Sequence, residues 1–366
     1  MTLFPKVAGL SYSAMRTPLV IGLAGILAWT VPAFGQGVDF SGKTVKIMIN
    51  FGTGSATDAT TRQFAPFVGK HLPGKPKLII EAKPGGRGKL GAAFVFKNVK
   101  PDGMTLGGMT TLIGRWAMGE KMPVDLEKFV HAGAFGGSPV VYVRKDTGIR
   151  SLDDLKTHKK MLIAGATAPN TTAALPIRLF LRSVAPQAGR KIIAGYRGQL
   201  GMYKAMRSGE VNVAFLNSNL WMQRRKGIEE EGKFVALVEY GVPSGGKTVK
   251  TPSLNIPTVA EAWRKLVPGA VNTADYKAAA FVQESRGATF HYGLPPGTPK
   301  KFAKVWGNAM KKGLSDPGYL AILKKTNAPP PIWSDADEVR RVFAAVKVGL
   351  ADKNIQKTLK SEFVKK

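Results

Sequence analysis

The feature that most limits this chain is a rhythm: an apolar run, a small-residue turn, then a segment with helical spacing. Thr44 to Phe51 reads TVKIMINF, β-branched and apolar enough for a buried strand. The turn GTGSATD follows, and then TTRQFAPFVGKHL places Phe64, Phe67, Val68 and Leu72 on one helical face. The same order returns in KLIIEA, PGGRG and LGAAFVFKNV, and PDGMTLGGMTT adds a turn and a short third strand. SPVVYVRKD reads as a strand ahead of SLDDLK, where Ser151 is placed to cap a helix. MLIAGATAPNTTAALPIRLFL and KIIAGYRGQLGMYKAMRSG repeat the pattern, VNVAFLN and KFVALVEYG are further strands, and the lysine-rich tail is mainly helical. Strands that alternate with helices in this way specify an α/β fold with a mostly parallel sheet.

Residues 1–35 carry Lys6 and Arg16, no acid, an uncharged run from Pro18 to Trp29, and then VPAFGQ. That is the layout of a cleaved signal peptide, with Ala33 and Gly35 at the recognition positions. The apolar run falls short of the ~20 residues that span a bilayer, so an exported, soluble, periplasmic product is expected. The sequence contains no cysteine, which excludes cysteine-ligated zinc and iron–sulfur sites and a lipid anchor at the cleavage point. Stability must then come from a sizeable core, and the length allows two domains.

Lys and Arg number 54 against 24 acids, a formal charge of +30. Such a field attracts anions. The lysines are spread along helix-like segments and not gathered in an arm with interleaved aromatics, so no nucleic acid is expected as a partner.

Gly86-Arg87-Gly88-Lys89-Leu90-Gly91 spells G-x-G-x-x-G, the fingerprint of a dinucleotide-binding turn. It fails the context test. Such a turn follows the first strand of its unit and has an acid about twenty residues on, at the end of the next strand. Asp102 sits instead in a Pro-Asp-Gly turn, where it holds its own backbone. No cofactor is expected.

Six segments in register, INFGTGSATDATTR, IIEAKPGGRGKLGAA, KPDGMTL, GYRGQLGMYKAMRSGEVNVAF, LNIPTVAEA and LPPGTPKKFAKVWGNAMKKGLSDP, resemble the substrate-binding receptors of tripartite tricarboxylate transporters, the Bug or TctC family. The resemblance runs from about Lys43 to about Leu350. It implies a periplasmic-binding-protein-like fold of type II, a Venus flytrap of two α/β domains with a cleft between them. The expected division is 1–35 signal peptide, 37–139 plus 245–366 domain 1, and 140–244 domain 2. It also implies a small organic acid as ligand, a membrane permease as partner, and no catalysis; a monomer is expected.

A carboxylate can be held by main-chain N–H groups at helix N-termini and glycine turns. In the loop after the first strand, Phe51, Gly54 and Asp58 match the family's Pro-Phe-x-Pro-Gly-Gly-x-x-Asp, while Asn50 replaces its first proline and Ser55 its second glycine. Asp58 reads as a first-turn cap, and Ser55 and Ala56 as ligand contacts. In Pro84-Gly85-Gly86-Arg87-Gly88, Gly86 and Arg87 are candidates; Arg87 stands where the family prefers glycine, and it reads either as a ligand contact or as a solvated loop residue. From the second domain, Thr167, Asn170 and Thr171 are placed either to cap a helix or to donate to an anion. Tyr196 and Gly198 match the family's Tyr-Lys-Gly. Thr110, Ser138 and Asn217 lie at strand ends, where clefts in such sheets form.

Two features fit the resemblance less well. The segment from Val267 to Tyr292 is longer than expected, and the charge exceeds what carboxylate binding needs. An enzyme is the main rival, yet there is no G-x-S-x-G or H-E-x-x-H, and His71, His131, His158 and His291 lie far apart in sequence, with His71 and His158 read as exposed. A periplasmic sensor with the same fold is a further alternative.

Overall fold

The computed structural model describes residues 37–245, 247–251 and 254–364. The expected leader lies outside them. Residues 44–135 form β1 (Thr44–Ile49), α1 (Ala56–His71), β2 (Lys77–Ala82), α2 (Lys89–Asn98), β3 (Thr105–Thr110), α3 (Leu112–Ala117) and β4 (Val130–Phe135). β1 pairs in parallel with β2 on one side and β3 on the other. The chain crosses from β1 to β2 through α1 and then back over β1 to β3 through α2, so the two crossovers run in opposite directions and their helices cover opposite faces. Phe64 and Val68 of α1 join one apolar cluster, with Trp306 and Met310, while Ala92 and Val95 of α2 join another. Burial on both faces is what a continuous apolar run such as KIMI requires.

The second sheet is made from β5 (Pro139–Arg144), β6 (Leu162–Ala166), β7 (Arg190–Ala194), β8 (Val213–Asn217) and β9 (Phe234–Glu239), in the order β7-β6-β8-β5-β9. Its helices are α4 (Ala174–Val184), α5 (Gly198–Ser208) and α6 (Ser218–Glu230). β6 is parallel to β7 and β8, whereas β5 is antiparallel to β8 and β9. The chain therefore crosses between sheets twice, out at 136–138 and back at 240–241.

After the return come a small hairpin of β10 (Val242–Ser244) and β11 (Lys247–Val249), then α7 (Val259–Leu266) and α8 (Ala274–Glu284). α7 starts in a capping box of Thr258 and Glu261 and packs on β9 and α4. The chain completes the first sheet with β12 (Phe290–Leu294), α9 (Lys300–Leu314), α10 (Pro317–Lys325) and β13 (Trp333–Asp335), then ends in α11 (Ala336–Ala351) and α12 (Lys353–Val364). The full order of the first sheet is β13-β4-β12-β3-β1-β2. α12 is pinned through Glu362, which pairs with Arg178 at 2.8 Å and also with Arg182, itself paired with Asp275 of α8.

The α/β expectation holds, and so does the Asp102 turn, where Met104 N–H donates to the carboxylate at 2.9 Å. Two local readings are corrected. SLDDLK forms only a short 3₁₀ turn at Asp153–Lys156, because Asp154 accepts the N–H groups of Arg150 and Ser151 and folds the backbone back on itself. His158 is buried, and His71 is half-buried against Asp316.

His131 and His291, 160 residues apart, are in contact: β4 and β12 are antiparallel neighbours, and Nδ1 of His131 lies 2.9 Å from Nε2 of His291. His131 also stacks on Phe343. Burial, and then the Arg340 charge, push the His131 pKa down to about 4, and burial followed by His131 lowers that of His291. Among the described residues no group of three or more His, Cys, Asp or Glu could hold a metal. Both rings are neutral in the folded state but have pKa ≈ 6.5 when unfolded. Their contribution is thus present above pH 6.5 and is lost as pH falls from there toward about 4. Thermal melts should show the melting temperature dropping through that window, with a shallower drop in a His131→Phe, His291→Phe double variant; equal slopes would remove the pair as the cause.

Candidate functional site

The carboxyl ends of β1, β2 and β3 bring three loops together. Asn50, almost fully buried, is the tie. Its Oδ1 accepts the Thr110 N–H at 3.0 Å, its Nδ2 donates to the carbonyl of Thr110 at 3.1 Å and that of Gly88 at 3.4 Å, and its own N–H reaches Gly108 O. One side chain thus stitches the β1, β2 and β3 turns. The ring of Phe51 lies beside Gly88, and Gly52 faces Pro84.

In the first turn, Ser55 caps α1: its Oγ accepts the Asp58 N–H at 3.2 Å. Asp58 accepts from Gly54 N–H at 2.9 Å and pairs with Arg62 at 2.8 Å. Ser55 N–H is bound to Gly52 O. The N–H groups of Ala56 and Thr57, at the positive end of a 16-residue helix, are among the donors left without a partner among the described residues. No atom lies within 4 Å of where a Gly54 side chain would begin, so this lip faces open space.

The second turn is a run of left-handed backbone. Gly85, Gly86, Arg87 and Gly88 have φ of 128°, 56°, 57° and 92°. Glycine is suited to every one of these positions, and an L side chain at Arg87 costs roughly 1–2 kcal/mol. The Arg87 guanidinium sits 3.5 Å from Glu120, which Lys89 and Arg115 also approach at 3.0 Å each. Thr111, next to Thr110, is also left-handed at φ 67° and starts α3 with no side-chain cap.

On the second sheet, Thr171 Oγ1 caps α4 through Ala174 N–H at 3.0 Å, while Thr167 is half-buried and Asn170 exposed in the loop before it. The Tyr196 hydroxyl donates to Glu210 at 2.7 Å, and its ring packs on Gly165. Burial, then that carboxylate, push the Tyr196 pKa up to about 12. Gly198 has φ 73° and binds Tyr196 O through its N–H, which leaves the Gln199 and Leu200 N–H groups without partners among the described residues. The Gln199 side chain accepts from Asn217 N–H at 2.8 Å, so these two turns are joined; the Asn217 side chain is exposed.

Ser138 is different. It is fully buried in the outgoing crossing segment, where its hydroxyl donates to Glu239 at 2.9 Å and accepts from Gly241 N–H at 2.8 Å. Glu239 in turn accepts the Thr251 N–H at 3.1 Å. In this conformation Ser138 braces the two crossings.

Sequence reasoning missed the groups that meet between the sheets. Thr172 touches Gly114 of α3 and accepts from Arg286 at 3.0 Å. Arg286 also donates to Gly137 O at 3.1 Å and lies 5.5 Å from the Tyr240 ring. Tyr240 bonds through its hydroxyl to Ala173 O, and its carbonyl accepts from Gln283. The one available signal was the length of the 267–292 segment, within which Arg286 lies.

No protein-family profile and no curated protein sequence matches this chain. Solved structures do. A TctC solute-binding protein from Polaromonas, without ligand, superposes with a TM-score of 0.61 at 17% identity, covering 87% of this chain and 98% of that one. The R. palustris protein Rpa4515 with adipate gives 0.60 at 23%, covering 88% and 99%. The periplasmic binding protein BugD gives 0.56 at 18%, covering 88% and 98%. The chain has the type II fold of periplasmic solute-binding proteins. In that fold the strand–helix turns described above, three on each sheet, lie at the carboxyl ends of the parallel strands, where α/β sheets bind ligands.

The Asn50 tie supplies a test of how this fold holds its turns. Asn50→Ala strands a buried N–H and two carbonyls, each unsatisfied group costing on the order of 1–3 kcal/mol. Chemical denaturation should show a loss of roughly 2–4 kcal/mol, and a loss under about 0.5 kcal/mol would show that water or a loop shift replaces the side chain.

Proposed function

We propose that this protein is an exported, non-enzymatic receptor of the Bug or TctC kind, which captures a small organic carboxylate between two lobes. The observation that carries the reading is the pair of unpartnered N–H groups of Ala56 and Thr57 at the start of α1, on a glycine lip facing open space. The free Gln199 and Leu200 N–H groups at the start of α5 offer the same chemistry from the other sheet. A helix N-terminus binds an anion without a covalent step or a cofactor, and a single negative ligand touching both walls favours the closed state. The likeness to structures described as a TctC solute-binding protein and as a protein with adipate supports the same class.

In this reading the lobes are 37–139 with 245–366, and 140–244, although the packing of α7 on β9 and α4 attaches 259–266 to the second layer. Ser55 and Thr171 shape the site as caps, Phe51 and Gly86 wall it, and Thr110, Gly198 and Asn217 line its edges. Arg87 is held by Glu120 outside the donor set. No described helix is long and apolar enough to cross a membrane. A periplasmic monomer that hands its ligand to a tripartite tricarboxylate-type permease fits the fold and the expected leader, and the excess of Lys and Arg over acids assists capture of an anion.

Ala56→Pro gives a clean test, because proline at the first helical position deletes one N–H while matching the helix geometry, and Ser55 at ψ 163° tolerates a following proline. Titration calorimetry with the tightest of a carboxylate panel should show affinity about tenfold or more weaker, with the apo melting temperature nearly unchanged. Unaltered affinity would take this turn out of the site; a panel that never binds the wild type would remove the receptor reading.

A further inference from the structure

Arg286 is a buried cation without an anion. It is only 5% exposed, and no carboxylate lies within ion-pairing distance among the described residues. Burial lowers its pKa to about 10, so at neutral pH the charge stays on. Two of its five N–H donors are used, by Thr172 Oγ1 and Gly137 O, both neutral acceptors. Its Nε is buried with no partner at all. A charge placed this way is strongly unfavourable unless something supplies the opposite sign.

Its surroundings are those of an incomplete anion site. Thr172, which it holds, lies just before Ala173, the residue at the start of α4, and the N–H groups of Thr172 and Ala173 have no partner among the described residues. The positive end of an 11-residue helix and a guanidinium thus converge. Gly137, whose carbonyl it binds, has no atom within 4 Å of where a side chain would begin, so open space adjoins that residue. The location is the junction of both crossings, where Gly137 and Tyr240 meet the loop before α4.

The geometry points to Arg286 as a ligand contact: we infer that its guanidinium, with the N-terminus of α4, takes a carboxylate of the bound organic anion as an ion pair at the lobe junction. This rests on the receptor reading above and adds a charged partner to its main-chain donors. A carboxylate arriving at Nε would complete the guanidinium side-on, in the two-pronged manner that arginine favours. Because Arg286 follows α8 in the return segment while Thr172 belongs to the loop of the second sheet, the same ion pair would tie ligand occupancy to contact between the two.

The test uses the full chain without its leader and three probes, adipate, malate and benzoate, in thermal-shift and calorimetric titrations of the wild type, Arg286→Gln and Arg286→Lys. For whichever probe binds the wild type, Arg286→Gln should weaken binding about 50-fold or more, Arg286→Lys should recover part of the loss, and the apo melting temperature of Arg286→Gln should stay level or rise. Wild-type affinity in Arg286→Gln overturns the inference and leaves the receptor reading intact. If none of the probes binds the wild type while a ligand of another chemistry does, the carboxylate reading falls and this inference falls with it. Should Arg286→Gln not fold, the crystal structure of the wild-type complex decides: a carboxylate oxygen at about 2.7–2.9 Å from the guanidinium supports the contact, and a carboxylate bound elsewhere overturns it.

Discussion

The structure depends on how two crossing segments are kept buried. A strand that leaves one sheet for another carries backbone groups that neither ladder can satisfy, and each one left unpaired inside the protein is costly. Here side chains take that load. Ser138 accepts the Gly241 N–H and donates to Glu239, and Glu239 accepts the Thr251 N–H. Tyr240 and Gln283 serve the next residues along, through Ala173 O and Tyr240 O. A polar knot of this kind ties the two crossings to each other.

The turns themselves spend their side-chain chemistry on holding the backbone still. Ser55 and Thr171 spend their oxygens on caps, Asp58 divides its own between Gly54 N–H and Arg62, and Asn50 spends both amide donors and its oxygen on neighbouring backbone. What remains unspent is main-chain N–H at the starts of α1, α4 and α5. The left-handed run at Gly85–Gly88 follows the same logic, since only a glycine-rich sequence folds so tightly beneath Asn50. Arg87, the non-glycine in that run, is steadied by Glu120, which three cations share.

Charge is distributed unevenly between surface and interior. Lysines lie on exposed helix faces such as that of α9, where Lys300, Lys304 and Lys311 are exposed, and in exposed loops. Interior charges are few and nearly all matched, as Glu362 is by Arg178 and Arg182. Arg286 and Glu239 stand apart from them, because the partners of both are neutral.

The sequence by itself determined the alternation of strand, small-residue turn and helix, because hydrophobic period and turn chemistry are local and survive in one dimension. It also marked GTGSATD and YRGQ as helix starts, which leave their first donors unpaired, although the Gly198 N–H turns back to Tyr196 O. It did not determine which hydroxyls would be used up: Ser55 and Ser138 look alike in sequence, yet one caps a helix and the other braces a crossing. Nor could it bring His131 to His291, or Arg286 to Thr172 and Gly137, across separations of 114 to 160 residues. Those pairings follow from sheet order and from the double crossing, which set distance in space independently of distance along the chain. Burial of a charge is likewise a property of everything packed around it, and only the tertiary structure supplies that.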